Sequence, residues 1–189
     1  MKIIYILLTR SETVLSKAVR LITDDTYTHI SISFDSRLRL LYSSSRKNGR
    51  TIFPAGPCRE SLTRGYYKRH SHIPCAIYAL HVEDDVYYSV KKEVERIISD
   101  PGRCHFNILG LLLCHFNIPF RRRRHFFCSQ FVSEVLRNGR ALGLPKEPAL
   151  MRPVDYMWLP ELTLLFQGRI DEYAKAVDTS RVQNAGQPA

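Results

Sequence analysis

Cys128 opens the segment CSQFVSEVLRN, in which Phe131, Val132, Val135 and Leu136 recur at helical spacing, so this thiol stands at the first residue of an expected helix over 128–138. Unpaired backbone N–H groups and the positive end of the helix dipole gather there and favour thiolate over thiol. The preceding residues, Arg121 to Arg124 and His125, push the same way, while Phe126, Phe127 and Phe131 act against it by excluding water. A thiolate is a nucleophile for acyl transfer and needs a base within hydrogen-bond reach. His29 is the best-placed candidate, on the polar side of the alternating stretch YTHISISFD beside Ser31 and Ser33. Periodicity alone also accommodates a plainer role for Cys128, since free cysteines are among the most buried residues.

These residues need a scaffold, and its parts are readable. The apolar run at 2–9 has the length of a buried strand, and 11–22 switches to helical spacing. Ile30, Ile32 and Phe34 alternate with polar neighbours, Asp35-Ser36-Arg37 forms a turn, and 38–43 returns antiparallel as a hairpin. Residues 46–73, rich in Arg, Lys, Gly, Pro and Ser, are assigned to a long loop in which Tyr66 and Tyr67 could line a cleft. A strand is expected at 75–82, a helix at 84–99 stopped by Pro101-Gly102, a short apolar helix within 104–117, and a last strand at 162–167. The pentapeptide CHFNI occurs at both 104–108 and 114–118, too little for a repeat architecture.

The pair YTHISISFD and FFCSQFVSEVL, histidine first and cysteine later, resembles the circularly permuted, NlpC-like branch of the papain-like cysteine hydrolases, related to the lecithin:retinol acyltransferase group. The likeness spans about residues 1–170 and includes ILLTRSETVLSKAVRLIT, the YSSSRK return strand and LMRPVDYMWLP. It implies an α+β, papain-like single domain, with an antiparallel sheet packed against the helix that starts at the cysteine. It also implies Cys128 as nucleophile, His29 as base, and the Cys128 backbone N–H as an oxyanion donor. Relatives carry a third polar residue that orients the histidine. A turn centred on Ser36 places residue 43 opposite residue 29, so Ser43 is the expected third residue, with Ser45 or Asp35 as alternatives after a register shift. The implied chemistry is hydrolysis of an amide, in a peptide or cell-wall-type fragment, through an acyl-enzyme that requires no cofactor. One alternative is thiol acyl transfer or lipid hydrolysis at an anionic membrane. Another is a non-catalytic binding module on the same scaffold.

Composition bounds these readings. The chain has 189 residues and a formal charge of +10, suited to one domain and to anionic partners without choosing among them. Five cysteines without a C-x-x-C pair argue against a disulfide framework or a zinc ribbon and for a reducing compartment. The apolar stretches at 3–8 and 108–114 are too short to cross a bilayer, and the expected location is cytoplasmic. Cys104-His105, Cys114-His115 and His125-x-x-Cys128 contain metal-ligand types, but residues ten apart on one helix lie about 15 Å apart, so no metal site is expected. The Arg121–Arg124 run lacks the interleaved aromatics of a nucleic-acid reader. It reads as a solvated loop, or as a contact for an acidic substrate or anionic lipid. From residue 171 the composition turns polar, and 171–189 is expected to be a flexible tail.

Overall fold

The computed structural model describes residues 1–11, 25–46, 55–100 and 104–185. Strands β1 (Lys2–Thr9), β2 (His29–Ser33), β3 (Leu41–Arg46) and β4 (Ala55–Glu60) precede the short helix α1 (Gly65–Arg69) and strand β5 (Pro74–Val82). Helices α2 (Asp84–Ile98), α3 (Ile108–His115) and α4 (Cys128–Asn138) follow, then strand β6 (Leu162–Arg169) and helix α5 (Ile170–Ala185). The expected helix over 11–22 lies, except for Ser11, outside the described residues.

The result is an α+β single domain built on a six-stranded sheet in the order β4-β3-β2-β1-β5-β6, antiparallel at every pairing. Two interior strands, β1 (KIIYILLT) and β5 (PCAIYALHV), read as continuous apolar runs because both faces of the sheet are covered. On one face, Ile4, Ile6, Leu8, Ile30 and Ile32 meet Val90 and Val94 of α2 and Phe131 and Val132 of α4. On the other, Leu7, Leu41 and Ile77 meet Tyr67 of α1 and Ile170 and Tyr173 of α5. Helix α4 therefore rests on the isoleucine face of β2 and not on the serine face, because burying those two isoleucines is worth roughly 1.5–3 kcal/mol apiece.

Three expectations change. The 46–73 loop contains β4 and α1; AGPCRE lacks β-branched and aromatic residues, yet an edge strand tolerates Pro57. The β2–β3 register is Ile32↔Tyr42 and Ser33↔Leu41, which centres the turn on Arg37 and brings residue 43 opposite residue 31. Leu38 takes φ +51° in that turn. The polar segment from 171 is not separate from the fold at its start, since α5 begins at Ile170 and buries Ile170 and Tyr173.

The duplicated CHFNI now has a physical account: one copy starts α3 and the other stops it. Asn107 caps the helix, its side chain accepting from Gly110 N–H at 3.0 Å. Asn117 leaves it at φ +58°, and the bonds Asn117 N–H to Cys114 O (3.1 Å) and Ile118 N–H to Leu113 O (3.0 Å) form a Schellman ending. The same side chain serves both ends because asparagine is a good N-cap and tolerates the left-handed conformation.

Gly139, just past α4, marks where that helix crosses α2. A Cβ there would lie 2.8 Å from Val90 Cα, which is backbone and cannot move aside. Gly139→Ala is expected to cost about 1–3 kcal/mol by overpacking. A urea melt followed by circular dichroism checks this, and an unchanged midpoint would show that the two helices separate freely.

Candidate active site

His29 is the first residue of β2 and pairs with Thr9 of β1. Its ring Nε2 lies 3.2 Å from Glu60 Oε2, at the end of β4. Glu60 is held in turn by Ser31 Oγ, which donates to Oε2 at 2.8 Å, and by Ser45 Oγ, which donates to Oε1 at 2.7 Å. The carboxylate thus accepts from two hydroxyls and one imidazole N–H, and the strand pairing beneath fixes all three donors. Ser31 Oγ also lies 3.4 Å from His29 Nε2. Below them is Tyr67, buried, with its hydroxyl 3.5 Å from Thr9 Oγ1.

Cys128 lies close enough to the His29 ring to help raise its pKa. With Nε2 turned to Glu60, Nδ1 is the nitrogen left for the sulfur. The thiol is only 6% exposed, at the start of a helix whose first turn has no side-chain cap, so its N–H groups remain directed at whatever lies beside the sulfur. Two ties place that helix start. Ser44 Oγ of β3 donates to Phe126 O at 2.6 Å, and Asn107 Nδ2 donates to Gln130 Oε1 at 3.1 Å. Adjacent residues of β3, which point to opposite sides of the strand, therefore serve the two halves of the site, Ser45 the carboxylate and Ser44 the helix.

Ser43 does not orient the histidine. One residue of register brings it opposite Ser31, and its hydroxyl donates to Ile30 O at 2.6 Å. Asp35 is also elsewhere, accepting from Arg39 Nε at 2.9 Å. The residue against the imidazole is Glu60, which the loop assignment hid. A signal was nevertheless present, since Glu60 is the sole acidic residue between Asp35 and Glu83, in a strongly basic stretch.

The electrostatics follow from this packing. Burial alone would lower the His29 pKa, but the Glu60 charge, followed by the hydrogen bonds to Cys128 and Glu60, outweighs it and holds His29 well above 6.5. Burial alone would raise Glu60, yet the His29 charge and the bonds from His29, Ser45 and Ser31 bring it below 4.5. The side chains are 13% and 17% exposed, so water screens the pair weakly. Elsewhere, burial pushes the Cys75 thiol up to about 12 and the Cys114 thiol up to about 11.

The remaining histidine–cysteine pairs do not converge. His105 and His125 face each other at a ring separation of 5.1 Å, and among the described residues no group of three or more His, Cys, Asp or Glu is placed to hold a metal. No helix among them is long and apolar enough to cross a membrane.

No protein-family model matches the chain, and no curated protein matches it. Among solved structures it is similar to the crystal structure of metalloprotein yiiX from Escherichia coli O157:H7, described as DUF1105, with a TM-score of 0.57 and 13% sequence identity. The likeness covers 88% of this chain and 97% of that one, and at such identity it speaks to the fold alone.

The ion pair sets a pH window for stability. Glu60, lowered, stabilises the fold above its unfolded value near 4.5 and ceases to as pH falls through its folded value. His29, raised, stabilises it fully below its unfolded value near 6.5 and ceases to as pH rises through its folded value. Denaturation midpoints are therefore expected to peak between these values and to decline on the alkaline side. Glu60→Gln should flatten that decline and cost about 1–3 kcal/mol at the peak. An unaltered pH profile in the variant would mean that the pair carries no charge.

Proposed function

We propose that the chain is a cysteine hydrolase with a permuted papain-like arrangement, cleaving an amide in a peptide or cell-wall-type fragment. The observation that carries this reading is His29 bonded to the Glu60 carboxylate, with Cys128 close enough to help raise the pKa of the ring. Cys128 attacks the amide carbonyl as thiolate, and the Cys128 backbone N–H receives the developing oxyanion. His29, as imidazolium, gives its proton to the leaving amine. Water then attacks the thioester while His29 accepts its proton, releasing the acid and restoring the thiolate and the imidazolium. Glu60 keeps the ring in one tautomer and orientation and stabilises its charged form, the role that the family resemblance requires of a third residue. A reducing, cytoplasmic compartment would keep the nucleophile as a free thiol.

The reading is tested by labelling the intact chain with a thiol-reactive probe at neutral pH. Cys128 should react at least about tenfold faster than Cys75 and Cys114, whose thiols burial holds protonated. Cys128→Ala removes the fast phase, His29→Ala slows it about tenfold or more, and Glu60→Gln slows it less. Labelling of Cys128 at the rate of the buried thiols, unaffected by His29→Ala, would remove the nucleophile from the mechanism.

One observation favours a second reading, acyl transfer from lipid. Helix α3 and its exit expose Leu109, Leu112, Phe116 and Ile118 at 52%, 41%, 70% and 49%, next to the arginine run. Apolar side chains bordered by cations suit a peripheral contact with anionic lipid. Sedimentation with phosphatidylglycerol vesicles should then be lost at high salt and weakened in Leu112→Ser/Phe116→Ser. Failure to bind at low salt excludes this version.

A further inference from the structure

Four consecutive arginines repel one another unless solvent or an anion lies among them. Here the backbone does not let them drift apart. His125 N–H donates to Arg122 O at 3.0 Å, His105 N–H donates to Arg124 O at 2.9 Å, and the His125 ring Nδ1 donates to Arg123 O at 2.8 Å. Arg124 itself holds φ +60°, a conformation that costs a non-glycine residue of the order of 1 kcal/mol or more. The turn is thus pinned from several directions with its side chains outward.

This turn walls an open cleft of about 210 Å³, lined also by Arg96 of α2 and by Phe126 and Gln130 at the start of α4. Arg96 donates to Glu93 and Arg121 reaches Glu147 at 3.4 Å, but Arg122, Arg123 and Arg124 have no carboxylate partner among the described residues. The cleft's one carboxylate, Glu134, is taken by Arg137 at 2.9 Å. Gln130 is 2% exposed and spends its Oε1 on Asn107, which leaves its Nε2 as a neutral donor in the wall. Residues 128 and 130 are about 200° apart around a helix axis, so the cleft lies on the opposite side of α4 from the Cys128 side chain. It is a separate place, and its occupancy does not depend on the thiol chemistry.

The lining therefore holds more cationic donors than acceptors, with Arg122, Arg123 and Arg124 left without a carboxylate among the described residues. We propose that this cleft binds a soluble polyanion through its phosphate or carboxylate groups, with the guanidinium forks of Arg122, Arg123 and Arg124 and the Gln130 amide taking the anion's oxygens. Guanidinium groups pair with both anions in bidentate geometry. The volume is below the roughly 300–1,000 Å³ of sites that enclose a drug-sized molecule, so it suits an anionic group and not a whole cofactor. The backbone bonds supply preorganisation, since the turn needs no rearrangement to receive the ligand.

The test is calorimetric titration of the full chain with inorganic pyrophosphate, and in parallel with citrate, at low and moderate salt. One saturable site is expected, weakened by salt, for at least one of the two anions. Affinity should fall about tenfold or more in Arg122→Gln/Arg123→Gln/Arg124→Gln. It should stay nearly unchanged in Arg64→Gln/Lys68→Gln/Arg69→Gln, which removes the same charge elsewhere, and in Cys128→Ala. Circular dichroism verifies that each variant folds, and Arg123→Gln alone serves if the triple variant does not. Absence of saturable binding to either anion, or equal weakening in both triple variants, overturns the proposal. So does arginine-dependent retention on phosphatidylglycerol vesicles with no response to either soluble anion, which would assign the run to a lipid surface.

Discussion

The carboxylate of Glu60 is the point on which the site depends. It accepts from Ser31 on β2, Ser45 on β3 and the His29 ring, so one anion joins three neighbouring strands at one end of the sheet. A carboxylate in so little water persists only where its oxygens are satisfied, and here hydroxyls from two strands and a cation satisfy them. The charge retained in this way helps to orient the imidazole and favours its protonated form. Replacing either serine by alanine would leave the backbone intact and return part of the desolvation cost to the carboxylate.

The sulfur is placed by an independent set of contacts. Helix α4 is buried on nearly every side, and its packing against Ile30 and Ile32 fixes its height over the sheet. The Ser44 bond to Phe126 O and the Asn107 bond to Gln130 then fix where the helix begins. Because Ser44 and Ser45 are adjacent on one strand, a displacement of β3 would disturb the imidazole support and the helix start together. Rigidity of this kind would suit the proposed chemistry, which needs the sulfur and the imidazole held in fixed relation.

How much of this was legible in the residues varies with the kind of signal. The strands at 2–9 and 75–82 and the helices at 84–98 and 128–138 are strongly periodic, and burial follows the periodicity closely. His29 and Cys128 stood out because their types and positions on those elements suggested chemistry. Glu60 did not, since AGPCRE pairs as an edge strand through backbone groups that side-chain composition does not reveal. Ser43 was selected by arithmetic that depends on the turn centre, and a shift of one residue exchanges one neighbour for another. The CHFNI copies acquire meaning only once the two ends of α3 are seen.

The order of the chain has a consequence for the protein while it is being made. Cys128 lies 99 residues beyond His29, whereas β2, β3 and β4 are successive antiparallel neighbours. As synthesis proceeds, the imidazole and its carboxylate can assemble from nearby segments, but the sulfur joins them only after α4 has emerged and docked. Loop closure over such a separation belongs to the slow, cooperative part of folding. Until then Cys128 and His29 are far apart, and their proximity becomes a property of the finished domain alone.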